Sequence, residues 1–209
     1  MPELPDITVF STNLKKLFAG KELSQIKVIN GKKLKDTPAE LSTIVELHFK
    51  DGSGIALTDR MKNANVKLNP VDKEGVDALD KQLNFQYLKK IFDRKANIKN
   101  ILLDQNLIRG IGNGYSDEIL WETRISPFSV ANAIPDEKIK ELAKTIKKTM
   151  KDATANIFKN YPDLIQGEIK EFLKIHTKKK DKSPTGAPIK MADRGMLKTY
   201  YTDEQVLYK

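Results

Sequence analysis

The sequence contains no cysteine and only two histidines. Without thiols the chain forms neither a disulfide nor a thiolate zinc site, and His48 and His176 lie too far apart in sequence to suggest a metal site. No apolar run approaches the roughly 18 residues that can span a bilayer, and the N-terminus lacks the basic and then apolar pattern of a secretory signal. We therefore expect a cytoplasmic protein that binds no metal and no membrane.

Positive charges outnumber negative charges in this sequence. Lysine and arginine number 37 and aspartate and glutamate 28, so the formal net charge is +9. Such a surplus is typical of proteins that bind phosphates, and it favours a nucleic acid as the partner. Because lysine-rich surfaces also serve solubility, the charge alone does not identify the partner.

The predicted elements change in type along the chain. An amphipathic N-terminal helix is followed by alternating apolar and polar residues around a turn at Asp51-Gly52, which predicts a short β layer. Helical spacing dominates from Phe85, and a long helix follows Pro135, with lysines on one face and an apolar face made of Ile139, Leu142, Ile146, Met150, Ala153 and Ile157. We divide the 209 residues into an N-terminal domain (1–69), a linker (70–84), a helical domain (85–165) and a tail (166–209).

The stretch "DQNLIRGIGNGYSDEIL" is the most specific in the chain, with Gly112, Asn113 and Gly114 directly before a predicted helix. Glycines allow a ligand to approach the backbone closely, and the free N–H groups of a helix start bind anions. A phosphate is the expected ligand. The alternative is a tight turn between helices without a ligand, and the spacing alone leaves both open.

The first residues, "MPELPD", raise a separate question. Pro5 and Asp6 are typical of a helix start, since proline needs no hydrogen-bond acceptor there and a carboxylate suits the positive helix end. Pro2 and Glu3 are not explained in this way. They are either a stiff segment leading into the helix or a chemical pair.

Two motifs together resemble a known family. "KNILLDQNLIRGIGNGYSDEILWETRISP" is similar to the helix–two-turn–helix element of the formamidopyrimidine-DNA glycosylase and endonuclease VIII family, and "MPELPD" is similar to the opening Met-Pro-Glu-Leu-Pro-Glu of its members. The resemblance implies an α+β fold. It implies a reduced N-terminal helix-plus-β-sandwich domain and a C-terminal helical domain that ends in a zincless β-hairpin finger.

The resemblance also implies an activity. Once Met1 is removed, the secondary amine of Pro2 would attack C1′ of a damaged nucleoside, with Glu3 as the neighbouring proton-transfer group. A free α-amino group has a pKa of about 8, against about 10.4 for lysine, so more of it is neutral at pH 7. We expect a monomeric DNA repair protein that cleaves abasic sites through a Schiff base and β-elimination, with excision of oxidised bases as a further expectation.

No cofactor is expected, because the iminium ion of the Schiff base is its own electron sink. The partner implied is damaged or abasic DNA. The alternative is a non-catalytic, structure-specific nucleic-acid-binding protein that uses the helix–two-turn–helix element alone.

Several positions are candidates for contacts with DNA by the same resemblance. They are Lys99, Gly112, Asn113, Gly114, Lys198, Arg194 and Arg60. The finger arginine of the family, which holds a phosphate, reads here as Leu197 followed by Lys198, and a lysine lacks the bidentate fork of arginine. We therefore expect β-elimination to dominate over δ-elimination. Lys32 is the candidate counterpart of the catalytic lysine of the family, Lys33, Lys35 and Lys62 are weaker substitutes, and the alternative for all four is a solvated surface charge. The hairpin is expected to hold by apolar packing of Ile189, Leu197, Tyr200 and Tyr201.

Overall fold

The structure is a computed structural model, and it describes residues 2–29, 43–58, 73–194 and 197–209. The predictions for Lys32, Lys33, Lys35, Arg60 and Lys62 lie outside these residues.

Helices and small sheets alternate along the described chain. The helices are α1 (Leu4–Phe18), α2 (Phe85–Phe92), α3 (Ile98–Leu103), α4 (Asn113–Glu122) and α5 (Asp136–Asn160), with a 3₁₀ turn at Ala131–Ala133. The strands are β1 (Leu23–Val28), β2 (Thr43–Phe49), β3 (Gly54–Thr58), β4 (Val76–Asp77), β5 (Ile108–Arg109), β6 (Lys190–Arg194) and β7 (Leu197–Tyr201). Strands β1, β2 and β3 form an antiparallel sheet in that order, β4 pairs with β5 in parallel, and β6 pairs with β7 in an antiparallel hairpin.

Contacts divide the chain into two compact units, one of residues 1–13 with 73–209 and the other of residues 14–72. The smaller unit contains the three-stranded sheet, and the ring of Phe18 at the end of α1 stacks on Phe49 of β2 with 5.1 Å between centroids. The larger unit contains all the residues discussed below. The domain boundaries proposed from the sequence stay a prediction.

The core of the larger unit lies among α2, α3, α4 and α5. The predicted apolar face of α5 is confirmed, since every member of it is buried: Ile139, Leu142, Ile146, Met150, Ala153 and Ile157. Burying one large aliphatic side chain contributes about 1.5–3 kcal/mol. Two asparagines start the shorter helices, because the side chain of Asn84 accepts the N–H of Tyr87 and that of Asn97 accepts the N–H of Asn100. The packing of α2, α3 and α5 fixes the position of α4, on which the site is built.

None of the helices in the described ranges combines the length and the apolar character that a membrane span requires.

Candidate active site and nucleic-acid interface

The carboxylate of Glu3 occupies the N-terminus of α4. Its Oε2 accepts the N–H of Gly112 at 2.8 Å and that of Tyr115 at 3.1 Å, and its Oε1 accepts the N–H of Gly114 at 2.8 Å. Only 9% of the residue is exposed. A carboxylate suits this position because the first N–H groups of a helix have no partner within the helix and lie at its positive end.

The glycines of the turn make this approach possible. A Cβ on Gly112 would lie 2.5 Å from Cδ of Glu3, and a Cβ on Gly114 would lie 3.0 Å from Oε1. Gly110 has a φ of 94° and leaves room for the side chain of Leu4. The spacing Gly-x-Gly-x-Gly is therefore required by the N-terminal segment of the chain itself.

This geometry corrects the phosphate site expected at the same turn. The N–H groups of Gly112 and Gly114 already donate to Glu3, so neither is offered to a phosphate of DNA. The anion that the sequence pattern predicts is present, and it is a carboxylate of the same chain. The N–H groups of Gly112 and Gly114 thus bind Glu3 in this structure.

The backbone on both sides of Glu3 is also fixed. The N–H of Glu3 donates to Oδ2 of Asp6 at 3.0 Å, in the manner of a capping box, and the N–H of Leu4 donates to the carbonyl of Gly110 at 3.0 Å. Oδ1 of Asp6 accepts the N–H of Ile169 at 3.1 Å. Pro2, half-buried, directly precedes this anchored segment. The structure therefore brings together the two predicted catalytic residues at the start of α4.

Burial raises the pKa of the Glu3 carboxyl above its ordinary value of 4.5, although the N–H groups of Tyr115, Gly114 and Gly112 act in the opposite direction. A carboxyl group with a raised pKa exchanges a proton at a pH closer to neutrality. This is the property that a proton-transfer group needs.

Lys99 is not a surface residue. It is 2% exposed, and its Nζ donates to Oδ1 of Asp117 at 2.6 Å and to Oγ1 of Thr199 at 3.0 Å. The contact of Lys99 with DNA stays a prediction, and in this conformation the ammonium group is enclosed and held by an internal carboxylate. A buried cation needs such a partner to offset its loss of hydration.

Asp117 joins α4 to the C-terminal hairpin. Besides Lys99, it accepts Nδ1–H of His176 at 2.7 Å and the N–H of Tyr200 at 2.8 Å, both at Oδ2. Its side chain is completely buried. The hairpin strand β7 is thereby fixed against α4.

The same docking places two predicted DNA contacts next to each other. Nδ2 of Asn113, the first residue of α4, donates to the carbonyl of Lys198 in β7 at 2.9 Å. The side chain of Lys198 is exposed, and Asn113 is partly exposed. Arg194 ends β6 and is paired in register with Leu197. Asn113 and Lys198 thus form one small polar surface.

The sequence does not predict that Glu118 is buried and binds the tail. It is 3% exposed and accepts the N–H groups of three consecutive tail residues at 2.8–2.9 Å, namely Lys174, Ile175 and His176. Burial raises the pKa of this carboxyl. An Asp-Glu pair in a helix normally indicates a solvated face, and the one signal of burial in the sequence is the apolar run "ILW" that follows the pair.

The tail is held together by a second carboxylate, Glu204. It accepts hydrogen bonds from the hydroxyls of Thr185 at 2.8 Å and Thr202 at 3.1 Å, and from Nε1 of Trp121 at 3.3 Å. The guanidinium of Arg124 pairs with it at 3.1 Å. The hydrogen bond from Thr185 is the largest of the effects that lower the pKa of Glu204.

Apolar packing involves fewer residues of the tail hairpin than the sequence analysis predicts. Tyr200 is buried with Trp121 and Ile175, and Ile189 packs against this cluster. Leu197 is 45% exposed and takes no part in it. In the described parts of the chain there is no group of three or more His, Asp or Glu side chains that could hold a metal ion.

Comparison with known proteins finds similar sequences and similar folds. Residues 75–159 match the family model described as the formamidopyrimidine-DNA glycosylase H2TH domain. The chain is 32% identical over 129 residues to a formamidopyrimidine-DNA glycosylase of Lactobacillus delbrueckii (57% of this chain, 47% of the relative) and 36% identical over 128 residues to that of Lactobacillus helveticus (56% and 46%). The chain spans about half the length of the curated relatives it matches.

Solved structures of formamidopyrimidine-DNA glycosylases have a similar fold over almost the whole length of this chain. The MutM (Fpg) protein of Thermus thermophilus has a TM-score of 0.79 at 16% identity, covering 98% of both chains. A Lactococcus lactis formamidopyrimidine-DNA glycosylase bound to DNA with an AP site has a TM-score of 0.77 at 18% identity, covering 97% of this chain and 99% of that one. At such identities the likeness concerns the fold, and it confirms the predicted α+β class. Residues 75–159 are thus similar to the H2TH domain of formamidopyrimidine-DNA glycosylases, and the fold of the whole chain is similar to that of the solved members.

Proposed function

We propose that this protein binds damaged or abasic DNA and cleaves abasic sites through a Schiff base on Pro2, followed by β-elimination. The observation that carries the proposal is the Glu3 carboxylate, held by three N–H groups at the start of α4 and adjacent to Pro2. A segment that served only to begin a helix would not need a buried carboxylate with three donors. A proton-transfer group beside a nucleophile needs such fixed placement.

The chemistry uses the α-amine of Pro2 after removal of Met1. The nitrogen lone pair adds to C1′ of the open-chain abasic sugar, water leaves, and an iminium ion forms. Loss of a proton from C2′ then expels the 3′ phosphate, and hydrolysis of the iminium returns the free amine. Glu3 is the residue we assign to moving protons to and from the sugar oxygen, and its ionised form stabilises the cation.

The DNA backbone is proposed to lie on Asn113 and Lys198. These two residues are joined by a hydrogen bond, and Lys198 supplies an exposed positive charge. A single ammonium group contacts phosphate as a point charge and lacks the fork of arginine. This supports β-elimination as the dominant route, and abundant δ-product from an abasic duplex would contradict it.

Borohydride trapping on an abasic-site duplex tests the enzyme, with the intact mass recorded on the same sample. We expect a covalent adduct that maps to Pro2 in protein lacking Met1. Pro2→Gly is the matched variant, since it is expected to lose strand cleavage and to keep DNA affinity. Equal cleavage by both proteins would refute the assignment of Pro2. A duplex with an oxidised base, tested in parallel, reports whether the protein also excises bases.

A second candidate function is non-catalytic binding of nucleic acid. It is favoured by one finding, namely that the matched H2TH region spans residues 75–159 and does not include Pro2. The same trapping experiment separates the two. Processed protein that binds the duplex and leaves no adduct would establish the binder.

A further inference from the structure

One side of α5 carries a line of lysines. Lys140, Lys144, Lys147 and Lys151 follow one another at intervals of four, three and four residues. In a helix of 3.6 residues per turn, this spacing places all four within a narrow sector and spreads them over about 16 Å. Three of them are exposed and Lys147 is partly exposed. We call these four residues the α5 lysine ridge.

The acidic residues of α5 do not neutralise the α5 lysine ridge. Asp136 pairs with Lys89, Glu141 with Lys138 and Asp152 with Lys148, and the fourth acidic residue, Glu137, forms no ion pair with a described residue. Lys140 lies over the ring of Phe85, 5.1 Å from its centroid. Within the described ranges no carboxylate forms an ion pair with the other three members of the ridge.

Without a bound ligand, the four positive charges of the α5 lysine ridge destabilise the helix, because they repel one another. Residues three or four positions apart are neighbours on a helix surface, and like charges at such positions are destabilising. The ridge contains three such neighbouring pairs, Lys140 with Lys144, Lys144 with Lys147, and Lys147 with Lys151. A row in which lysines alternate with carboxylates would stabilise the helix and would be hydrated equally well. A bound polyanion relieves this repulsion.

We propose that the α5 lysine ridge binds the phosphate backbone of nucleic acid, as a surface additional to Asn113 and Lys198. The ridge consists of ammonium groups alone, which suits the regular negative charge of phosphates. A protein partner fits less well, because protein interfaces are depleted in lysine and rely on aromatic and apolar anchors. The proposal goes beyond the lyase reaction and does not depend on Pro2.

Salt-dependent binding of the full chain to an undamaged duplex tests the ridge. The variant Lys144→Gln/Lys147→Gln/Lys151→Gln removes three ridge charges. The control Lys138→Gln/Lys148→Gln/Lys159→Gln removes the same number of charges outside the ridge. If three phosphate contacts are lost, the slope of log K against log salt falls by about 2.7, equivalent to roughly 40-fold in affinity between 50 and 200 mM salt. The control is expected to change the slope by less than about 1.

Thermal unfolding of the same proteins tests whether a smaller salt slope is caused by loss of the folded structure. Because like-charge repulsion is removed, the ridge variant is expected to melt at the same temperature as the parent or higher, most clearly at low salt. Lys147→Gln alone provides a milder variant, with an expected fall in slope of about 0.9. Equal slopes for the ridge variant and the control would overturn the proposal.

Two further measurements separate the alternatives. If the ridge variant loses binding to poly-L-glutamate and keeps its duplex slope, the ridge belongs to an acidic protein partner and the proposal is wrong. Pro2→Gly protein is expected to retain the parent slope. A failed trapping experiment and a failed ridge experiment are therefore distinguishable.

Discussion

The close contact between Gly112 and Glu3 allows a double-mutant test of the site. In Gly112→Ala the new Cβ would lie 2.5 Å from Cδ and 2.6 Å from Cγ of Glu3. Gly112 has a φ of −111° and a ψ of −167°, an extended conformation that alanine also adopts, so the backbone is not strained. The methyl group acts by displacing the carboxylate from its three N–H donors.

The magnitude follows from those donors. Hydrogen bonds to a charged group contribute about 1.5 kcal/mol or more each, and release of the carboxylate from burial offsets part of the sum. We expect Glu3→Ala to lower the free energy of unfolding by about 2–4 kcal/mol, and Gly112→Ala to lower it by a similar amount. In the Glu3→Ala background the methyl group has room, and Gly112→Ala should then cost less than about 1 kcal/mol.

Urea unfolding followed by the fluorescence of Trp121, the one tryptophan of the chain and a residue of α4, measures all four proteins of the cycle. Gly75→Ala serves as the control. Its Cβ would lie 2.5 Å from the carbonyl oxygen of Gln105 and would not meet Glu3, so its effect should add to that of Glu3→Ala. A Gly112→Ala effect of the same size in both backgrounds would refute the reasoning.

Four further predictions concern the contacts of α4 and the tail. Lys99→Met leaves the buried Asp117 without its cation, so the free energy of unfolding should fall by about 3–5 kcal/mol in urea; a loss below about 1 kcal/mol would show that the pair is not enclosed. Burial raises the folded-state pKa of Glu118, so the folded state holds this proton more tightly and stability falls as pH rises above 4.5; a ¹³C NMR midpoint at or below 4.5 would mean that its three N–H bonds outweigh burial. Lys198→Ala should leave the urea midpoint unchanged and reduce the salt slope of duplex binding by about 0.9, and an unchanged slope would remove Lys198 from the interface. Glu204→Gln should lower the melting temperature, whereas EDTA should leave that of the parent unchanged; a drop with EDTA would reveal a structural metal.

The parts of the molecule that could be predicted from sequence are those in which a local pattern has a local cause. The apolar face of α5 follows from its 3.6-residue period, and the glycines around Asn113 mark a close backbone approach. Pro2 and Glu3 stand out because the chemistry of a helix start does not explain them, but only the second motif, around Asn113, favours a chemical role for them. The group that approaches the glycines was not predictable, because Glu3 is 109 residues away from Gly112 in sequence.

The buried charges of α3 and α4 are the main feature that the sequence did not reveal. Lys99, Asp117 and Glu118 stand in amphipathic stretches where charged residues are ordinarily solvated. Their burial depends on β7 and on residues 174–176, which come from the far end of the chain. A period of 3.6 residues identifies which positions share a face, but it does not show that a tail will cover the polar face as well.

Helix α4 is consequently the element on which both ends of the chain depend. Glu3 binds its first N–H groups, Asp117 accepts the N–H of Tyr200, and Glu118 accepts three N–H groups of the tail. The segment proposed as catalytic and the hairpin proposed to contact DNA are both anchored to this one helix, which keeps the distance between them fixed. If Pro2 and Lys198 act on the same DNA strand, this shared support is what aligns the sugar with the nucleophile while the phosphate is held. A change within α4 should therefore reduce trapping and affinity together, whereas Pro2→Gly should abolish trapping alone.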